Sequence, residues 1–237
     1  MTKANTVLIT GSSRGLGFTL AEYYQQNGWN VIATARSVAK ADKLVALKPY
    51  KILEVDTADE ASIRKAATEL EGEEIDLLIN NAGICLRDNF YTATRENMLE
   101  QFTVNTVGPL LVTQAFLPHV KAAAASKGSA LIFHVSSYLG SIAHGPAWTK
   151  GAMTGYIVSK AALNMLNASL AETIRQENAN IASISIHPGY VATDMNGDAP
   201  GTISPAESIA GMVKVISNAK LEDNGKFYNY DGGEIAW

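Results

Sequence analysis

Apolar and polar positions alternate along the chain in two different rhythms. Short runs that are apolar almost throughout predict buried strands: "TVLIT" (6–10), "NVIATA" (30–35), "YKILEV" (50–55), "IDLLIN" (75–80), "SALIFHV" (129–135) and "IASISIH" (181–187). "KFYNY" (226–230) predicts a last strand. Longer amphipathic segments between them predict helices near 16–27, 58–71, 95–125, 155–178 and 205–219, with a weaker helical signal over 38–47. A continuously apolar strand needs cover on both faces, and strand–helix alternation provides it. The expectation is one α/β domain over residues 1–237, a doubly wound parallel sheet of about seven strands with helices on both faces. No linker, repeat or low-complexity tract interrupts it.

In such a sheet, ligands sit outside the carboxyl ends of the strands. The segments that follow the predicted strands are the glycine-rich and polar ones: "GSSRGLG" (11–17), "RSV" (36–38), "DTAD" (56–59), "NAGI" (81–84), "SSYLGS" (136–141) and "PGYVATDMNGDAPGT" (188–202). They predict a site assembled along one edge of the sheet.

Composition narrows the setting. Apolar residues are 47% and charged residues 18%, an ordinary globular balance. A net charge of −4 with no block of like charges argues against nucleic acid or an anionic membrane as partner. The single cysteine, Cys85, rules out an intramolecular disulfide and points to a reducing, cytoplasmic setting. The opening "MTKANTVLIT" lacks the apolar run and cleavage site of a signal peptide, and no 18-residue uncharged apolar stretch predicts a membrane span. His119, His134, His144, His187 and Cys85 show no metal-ligand spacing. His134 and His187, on or ending strands, read as structural, and Cys85 as a small buried side chain.

Two patterns carry chemistry. Gly11, Gly15 and Gly17 stand between a strand and a helix in a G-x-x-x-G-x-G arrangement. Glycine lets a backbone turn tightly and approach a phosphate, and the helix N-terminus favours the negative charge. A triphosphate P-loop would need Gly-Lys followed by Ser or Thr, which is absent. Further on, "GYIVSKAAL" (155–163) places Tyr156 four residues before Lys160, on one helix face. A free phenol has a pKa of ~10, and a neighbouring cation typically lowers such a value by roughly 1–3 units, towards usefulness as an acid near pH 7. The competing reading is a surface hydrogen bond.

The motifs together resemble the classical short-chain dehydrogenase/reductase family. They are "TGSSRGLG" (10–17), "NNAG" (80–83), Asn105 in "VNT", "VSS" (135–137), "YIVSK" (156–160) and "PGYVATDM" (188–195), in the family's order and over nearly the whole chain. "SSYLGSI", "SKAALN" and "FYNYDGGEIAW" are similar to the C-factor or sniffer-type carbonyl reductases within it. The resemblance implies a Rossmann-type fold. It also implies a carbonyl reductase converting a ketone or aldehyde to an alcohol, with NADPH as cofactor and a small-molecule carbonyl compound as substrate.

By the same resemblance, Tyr156 is the general acid, and Lys160 binds the nicotinamide ribose and lowers the tyrosine pKa. Ser137 hydrogen-bonds the substrate oxygen, with Ser136 as the other candidate, and Asn105 holds a water in a proton relay. The cofactor contacts are Gly11, Ser13, Arg14, Gly15, Leu16 and Gly17 in the loop, Arg36 after the second strand, and Asp56 and Thr57 at the adenine. Asn81, Ala82 and Gly83 lie beside the cofactor, Tyr156 and Lys160 reach it, and Pro188, Gly189, Val191 and Thr193 pass the nicotinamide. The gap from Ser137 to Tyr156 is longer than the family's usual one, so 143–155 forms a loop expected to bulge over the substrate, with a second substrate loop at 190–204. Tyr138, His144, Trp148, Tyr190 and Met195 are substrate candidates beside Ser137; the alternative is that they simply pack. The 155–178 helix resembles one that pairs between subunits, implying a homodimer or homotetramer, against an intrachain packing face.

Two alternatives remain on the same fold: an NADP(H)-binding signalling or regulatory protein with vestigial catalysis, and a non-redox enzyme such as an epimerase. The cofactor preference has its own residue-level ground. An NAD site usually carries an acid about 20 residues beyond the glycine loop. Positions 31–38 hold no Asp or Glu, while Arg36 and Arg14 offer paired donors suited to a 2′-phosphate.

Overall fold

A computed structural model describes residues 4–197 and 199–237; Asp198, inside the expected 190–204 loop, lies outside the described residues, as do the first three. The elements in chain order are β1 (Thr6–Ile9), α1 (Gly15–Gln26), β2 (Asn30–Ala35), α2 (Asp42–Leu47), β3 (Lys51–Glu54), α3 (Glu60–Glu69), β4 (Leu77–Asn80) and α4 (Arg95–Phe102). They continue with α5 (Gly108–Lys127), β5 (Ala130–Val135), α6 (Gly145–Thr149), α7 (Thr154–Gln176), β6 (Ile181–His187), α8 (Pro205–Asn218) and β7 (Phe227–Asn229). All seven predicted strands form, in one parallel sheet of order β3-β2-β1-β4-β5-β6-β7.

The pleat explains why the strands are apolar throughout. Val7 and Ile9 point to a core layer that contains Leu20 and Tyr24 of α1 and Met212 and Ile216 of α8. Leu8, between them, points to the opposite layer with Ile63 of α3 and Val112, Phe116 and Val120 of α5. Strand order reverses between β1 and β4, so the loops after these two strands diverge and open a crevice at the carboxyl edge. Among the described residues, no helix is long and apolar enough to cross a membrane.

Two expectations need correction. The helix expected over 95–125 is broken: α4 and α5 are separated by a π-helical turn, Thr103–Val107. Pro109 has no N–H to return to the Asn105 carbonyl, so the α-helical bond is missing at that point and the wider turn takes its place. The 143–155 segment is not a loop throughout. It contains α6 and is pinned at both ends, by Ala143 N to the Trp237 carbonyl (3.2 Å) and by Met153 N to the Asp88 carbonyl (2.7 Å).

Candidate active site

The turn from β1 into α1 is shaped by close backbone contacts. Gly11 holds φ +68°, and a Cβ on it would lie 3.1 Å from the Ala82 Cα; one on Gly17 would meet the Gly11 carbonyl and the Asn81 amide. Asn81 Nδ2 donates to the carbonyls of Thr10 (2.9 Å) and Gly11 (3.2 Å), and Thr10 Oγ1 accepts from Asn81 N and Ala82 N. The "NNAG" segment thus braces the glycine loop, and the Asn81 side chain is committed to that task. The first turn of α1 has no acid and no side-chain cap, so its N–H groups and positive dipole end suit an anion. Opposite Gly15 stands Thr193, whose methyl would lie 4.0 Å from a Cβ there. Backbone donors and missing side chains together match the needs of a dinucleotide pyrophosphate.

The ribose end differs from the sequence expectation. Arg36 is exposed directly after β2, as expected. Yet the strand end is not free of carboxylate: Glu54 of β3, paired with Ala35, accepts from Val38 N through its Oε2 at 3.2 Å. An acid absent from the local sequence has arrived through sheet register. Arg14 is paired with Asp194 at 3.0 Å, both largely exposed, an ion pair of little strength that ties the glycine loop to the 190–204 segment. Asp56 closes a turn by accepting from Ala58 N, and Thr57 is buried beside Gly108 at the start of α5.

The groups on and around α7 converge from four segments. Ser137, which follows β5 and accepts from Leu139 N (3.2 Å), lies close enough to the Tyr156 phenol to act on its pKa, and the Lys160 ammonium lies 5.8 Å from the centre of the Tyr156 ring. Ser136 instead gives its hydroxyl to Asn164 (2.7 Å), which leaves Ser137 as the serine on the tyrosine side. Lys160 Nζ donates to the Val135 carbonyl at 2.8 Å. Asn105 receives Ile84 N on Oδ1 (2.9 Å) and donates both amide protons, to the Ile84 carbonyl (2.8 Å) and Ser159 Oγ (3.0 Å). Its side chain therefore braces the loop after β4 and has no donor left for a water.

Electrostatics here depart from the sequence reading. Burial pushes the Tyr156 phenol above its ordinary value, the nearby Cys85 adds to this, and the Ser137 hydroxyl opposes it. Lys160 does not reverse the balance, and burial holds its own pKa down to about 8. His134 is a satisfied core histidine, with ring contacts to Asn80 (3.3 Å) and Ser183 (3.2 Å), and burial followed by the Lys160 charge holds it down to about 3. His187 is held down to about 4 by burial. Cys85 lies 3.9 Å from the Met153 sulfur, and burial raises its thiol pKa. No group of three or more potential metal ligands occurs among the described residues.

The expected substrate side is rich in aromatic side chains. Tyr138 stacks on His144 (5.5 Å between ring centres, 8°), and Trp148 meets Tyr190 edge-on at 6.3 Å, joining the two expected substrate loops. Met195 is partly exposed near that junction in sequence, while Val191 is buried and pairs with Ile203. Pro188 and Gly189 are fixed by Ser208, whose hydroxyl donates to the Pro188 carbonyl (2.5 Å), and by Ile203 and Tyr230, which leave no room for a Cβ at Gly189. Missed from sequence were Glu54, Asp88 and Gln101. The carboxylate of Asp88 accepts from Gly155 N, and no local motif signals it.

Comparison with known proteins gives the same picture. The chain is 37% identical to C-signal of Myxococcus xanthus over 180 residues, covering 74% of this chain and all of that protein. It is 28% identical to a 1-hydroxy-2-glutathionyl-2-methyl-3-butene dehydrogenase of Rhodococcus over 98% of this chain and all of that protein. Among solved structures, the NADPH-bound carbonyl reductase from chicken fatty liver superposes with a TM-score of 0.89 at 36% identity, over the full length of both chains. The carbonyl reductase Sniffer of Drosophila melanogaster does so with 0.91 at 33%, over 99% of this chain and all of that one. The family profile for short chain dehydrogenase matches residues 5–203, and with it the chain is placed: it belongs to the short-chain dehydrogenase family of oxidoreductases.

Proposed function

We propose that this oxidoreductase reduces a ketone or aldehyde to an alcohol with NADPH. The observation that carries the reading is the convergence of three buried groups, Ser137, Tyr156 and Lys160, with the ammonium 5.8 Å from the centre of the tyrosine ring. Bound NADPH would supply the hydride to the carbonyl carbon. Ser137 donates to the carbonyl oxygen and orients it, and Tyr156 gives that oxygen its proton as negative charge develops. A phenol whose pKa is raised by burial is fully protonated at pH 7, which suits the direction of reduction. Lys160 spends one of its three protons on Val135 and has two for a ribose hydroxyl and for restoring the phenol. The Asn105 carbonyl, to which Pro109 offers no N–H, is the proposed holder of a relay water.

The preference for NADPH over NADH rests on Arg36, exposed directly after β2, and on Arg14 of the glycine loop, which only a weak, exposed ion pair with Asp194 holds elsewhere. Glu54 is not a competitor of the usual kind, because one of its oxygens already serves Val38 N. The NADPH bound to the chicken enzyme and the NADP bound to a Burkholderia multivorans relative (28% identity, TM-score 0.85) support the choice. Assembly as a homodimer or homotetramer is supported by apolar side chains left exposed on two neighbouring helices, Leu99 and Phe102 of α4 and Val158 and Met165 of α7. The likeness to C-signal favours a second reading, an NADP(H)-binding signalling protein; the complete Ser137, Tyr156 and Lys160 set weighs against vestigial catalysis.

The test is NADPH oxidation followed against a panel of ketones, aldehydes and quinones, for wild type and Tyr156→Phe. The phenyl ring preserves packing and loses the proton. Turnover should fall by about 10²–10⁴-fold while NADPH binding stays nearly intact. Wild-type turnover in the variant, or no oxidation with any carbonyl, would overturn the reading.

A further inference from the structure

Tyr156 sits in the first turn of α7, the part of a helix most prone to fray, because its N–H groups have no partners within the helix. The chain supplies no local cap. The residue before the helix, Met153, has φ +58° and no side-chain hydrogen bond to the first turn. The cap comes instead from 65 or more residues away. Asp88 accepts from Gly155 N through Oδ1 (3.1 Å) and Oδ2 (3.4 Å), and its own carbonyl accepts from Met153 N. Gln101 of α4 steadies the carboxylate, reaching Oδ2 with Nε2 at 3.5 Å, while its Oε1 accepts from Leu86 N (2.9 Å). Asp88 is 8% exposed and Gln101 fully buried. Gly155 has no space for a side chain, since a Cβ would meet Gln101 Nε2 and lie 2.9 Å from Asp88 Oδ2.

We propose that Asp88, held by Gln101, is a positioning residue for the general acid. It fixes the turn of α7 that carries Tyr156 and so keeps the phenol within reach of Ser137. A carboxylate at this end also complements the helix dipole. The phenol oxygen lies at the tip of a long side chain, so a small rotation of the first turn displaces it by an amount that matters to proton transfer. This rests on the proposed role of Tyr156, but the cap itself is testable apart from it.

Asp88→Ala removes the acceptor, and Asp88→Asn keeps an acceptor oxygen while losing the charge. Hydrogen exchange read by mass spectrometry should show peptides covering 154–158 exchanging at least tenfold faster in Asp88→Ala, with the sheet unchanged and Asp88→Asn close to wild type. In steady-state kinetics with NADPH and 4-nitrobenzaldehyde, kcat should fall about 10–100-fold in Asp88→Ala, with the NADPH KM within twofold. Asp88→Asn should restore most of kcat. If Asp88→Ala does not fold, Asp88→Ser, too short to reach Gly155 N, takes its place in both measurements. Unchanged exchange at 154–158 would overturn the cap. Faster exchange with unchanged kcat would overturn the positioning role. If the wild type reduces no carbonyl, or Tyr156→Phe keeps its turnover, the functional reading fails while the exchange result still decides the cap.

Discussion

Lys160 offers a test in which stability and function should move in opposite directions. Its side chain is buried, 4% exposed, and burial lowers its pKa from 10.5 to about 8. Holding the charge at neutral pH therefore costs about 3 kcal/mol relative to the unfolded chain. Lys160→Met keeps the length of the side chain and removes the charge. It also loses the hydrogen bond to the Val135 carbonyl, worth about 1–2 kcal/mol. The variant should thus be more stable than wild type at pH 7 by about 1–2 kcal/mol, or roughly 3–6 °C in Tm for a chain of this size. The sign with pH follows from the depressed pKa. The folded wild type binds fewer protons than the unfolded chain between pH 8 and 10.5, so its stability rises with pH across that window, while the penalty is fully present below pH 8. The variant lacks this slope, so its advantage should vanish at about pH 9–10 and turn into a deficit by pH 10.5, where the lost hydrogen bond outweighs the remaining charge penalty. Guanidinium unfolding followed by tryptophan fluorescence at pH 7, 8, 9 and 10 measures the difference, and carbonyl reduction should be lost throughout. A variant less stable than wild type at pH 7, or a stability difference that does not change from pH 8 to 10, would refute the account.

Two other outcomes are expected. Wild type should bind NADPH more tightly than NADH at moderate salt, and placing aspartate at Ala35 with Arg36 made neutral should move the preference towards NADH; equal affinities in wild type by fluorescence titration would contradict the roles of Arg14 and Arg36. Light scattering should give an oligomeric mass at micromolar concentration, and Met165→Glu, which puts a charge on an apolar α7 residue that is 69% exposed, should shift it towards monomer; a wild-type monomer would remove the proposed interface.

The strands could be read from the sequence because each is apolar at nearly every position, and that pattern has one economical solution, a parallel sheet covered on both sides. The residues around the crevice were legible for a related reason: the sheet's topology brings the segments after its strands to one edge, whatever their spacing in sequence. The breakpoint in the 95–125 helix had a local signal in Pro109, overlooked because the apolar period runs on through it. Tertiary structure decided the rest. Glu54 reaches the end of β2 through sheet register, and Asp88 reaches the head of α7 because the 81–94 segment folds across it; neither contact has a sequence period. The balance of charge at Tyr156 and Lys160 was also beyond the sequence. Their four-residue spacing fixes that they are neighbours, but burial depends on every element packed around α7, and burial sets which way both pKa values move.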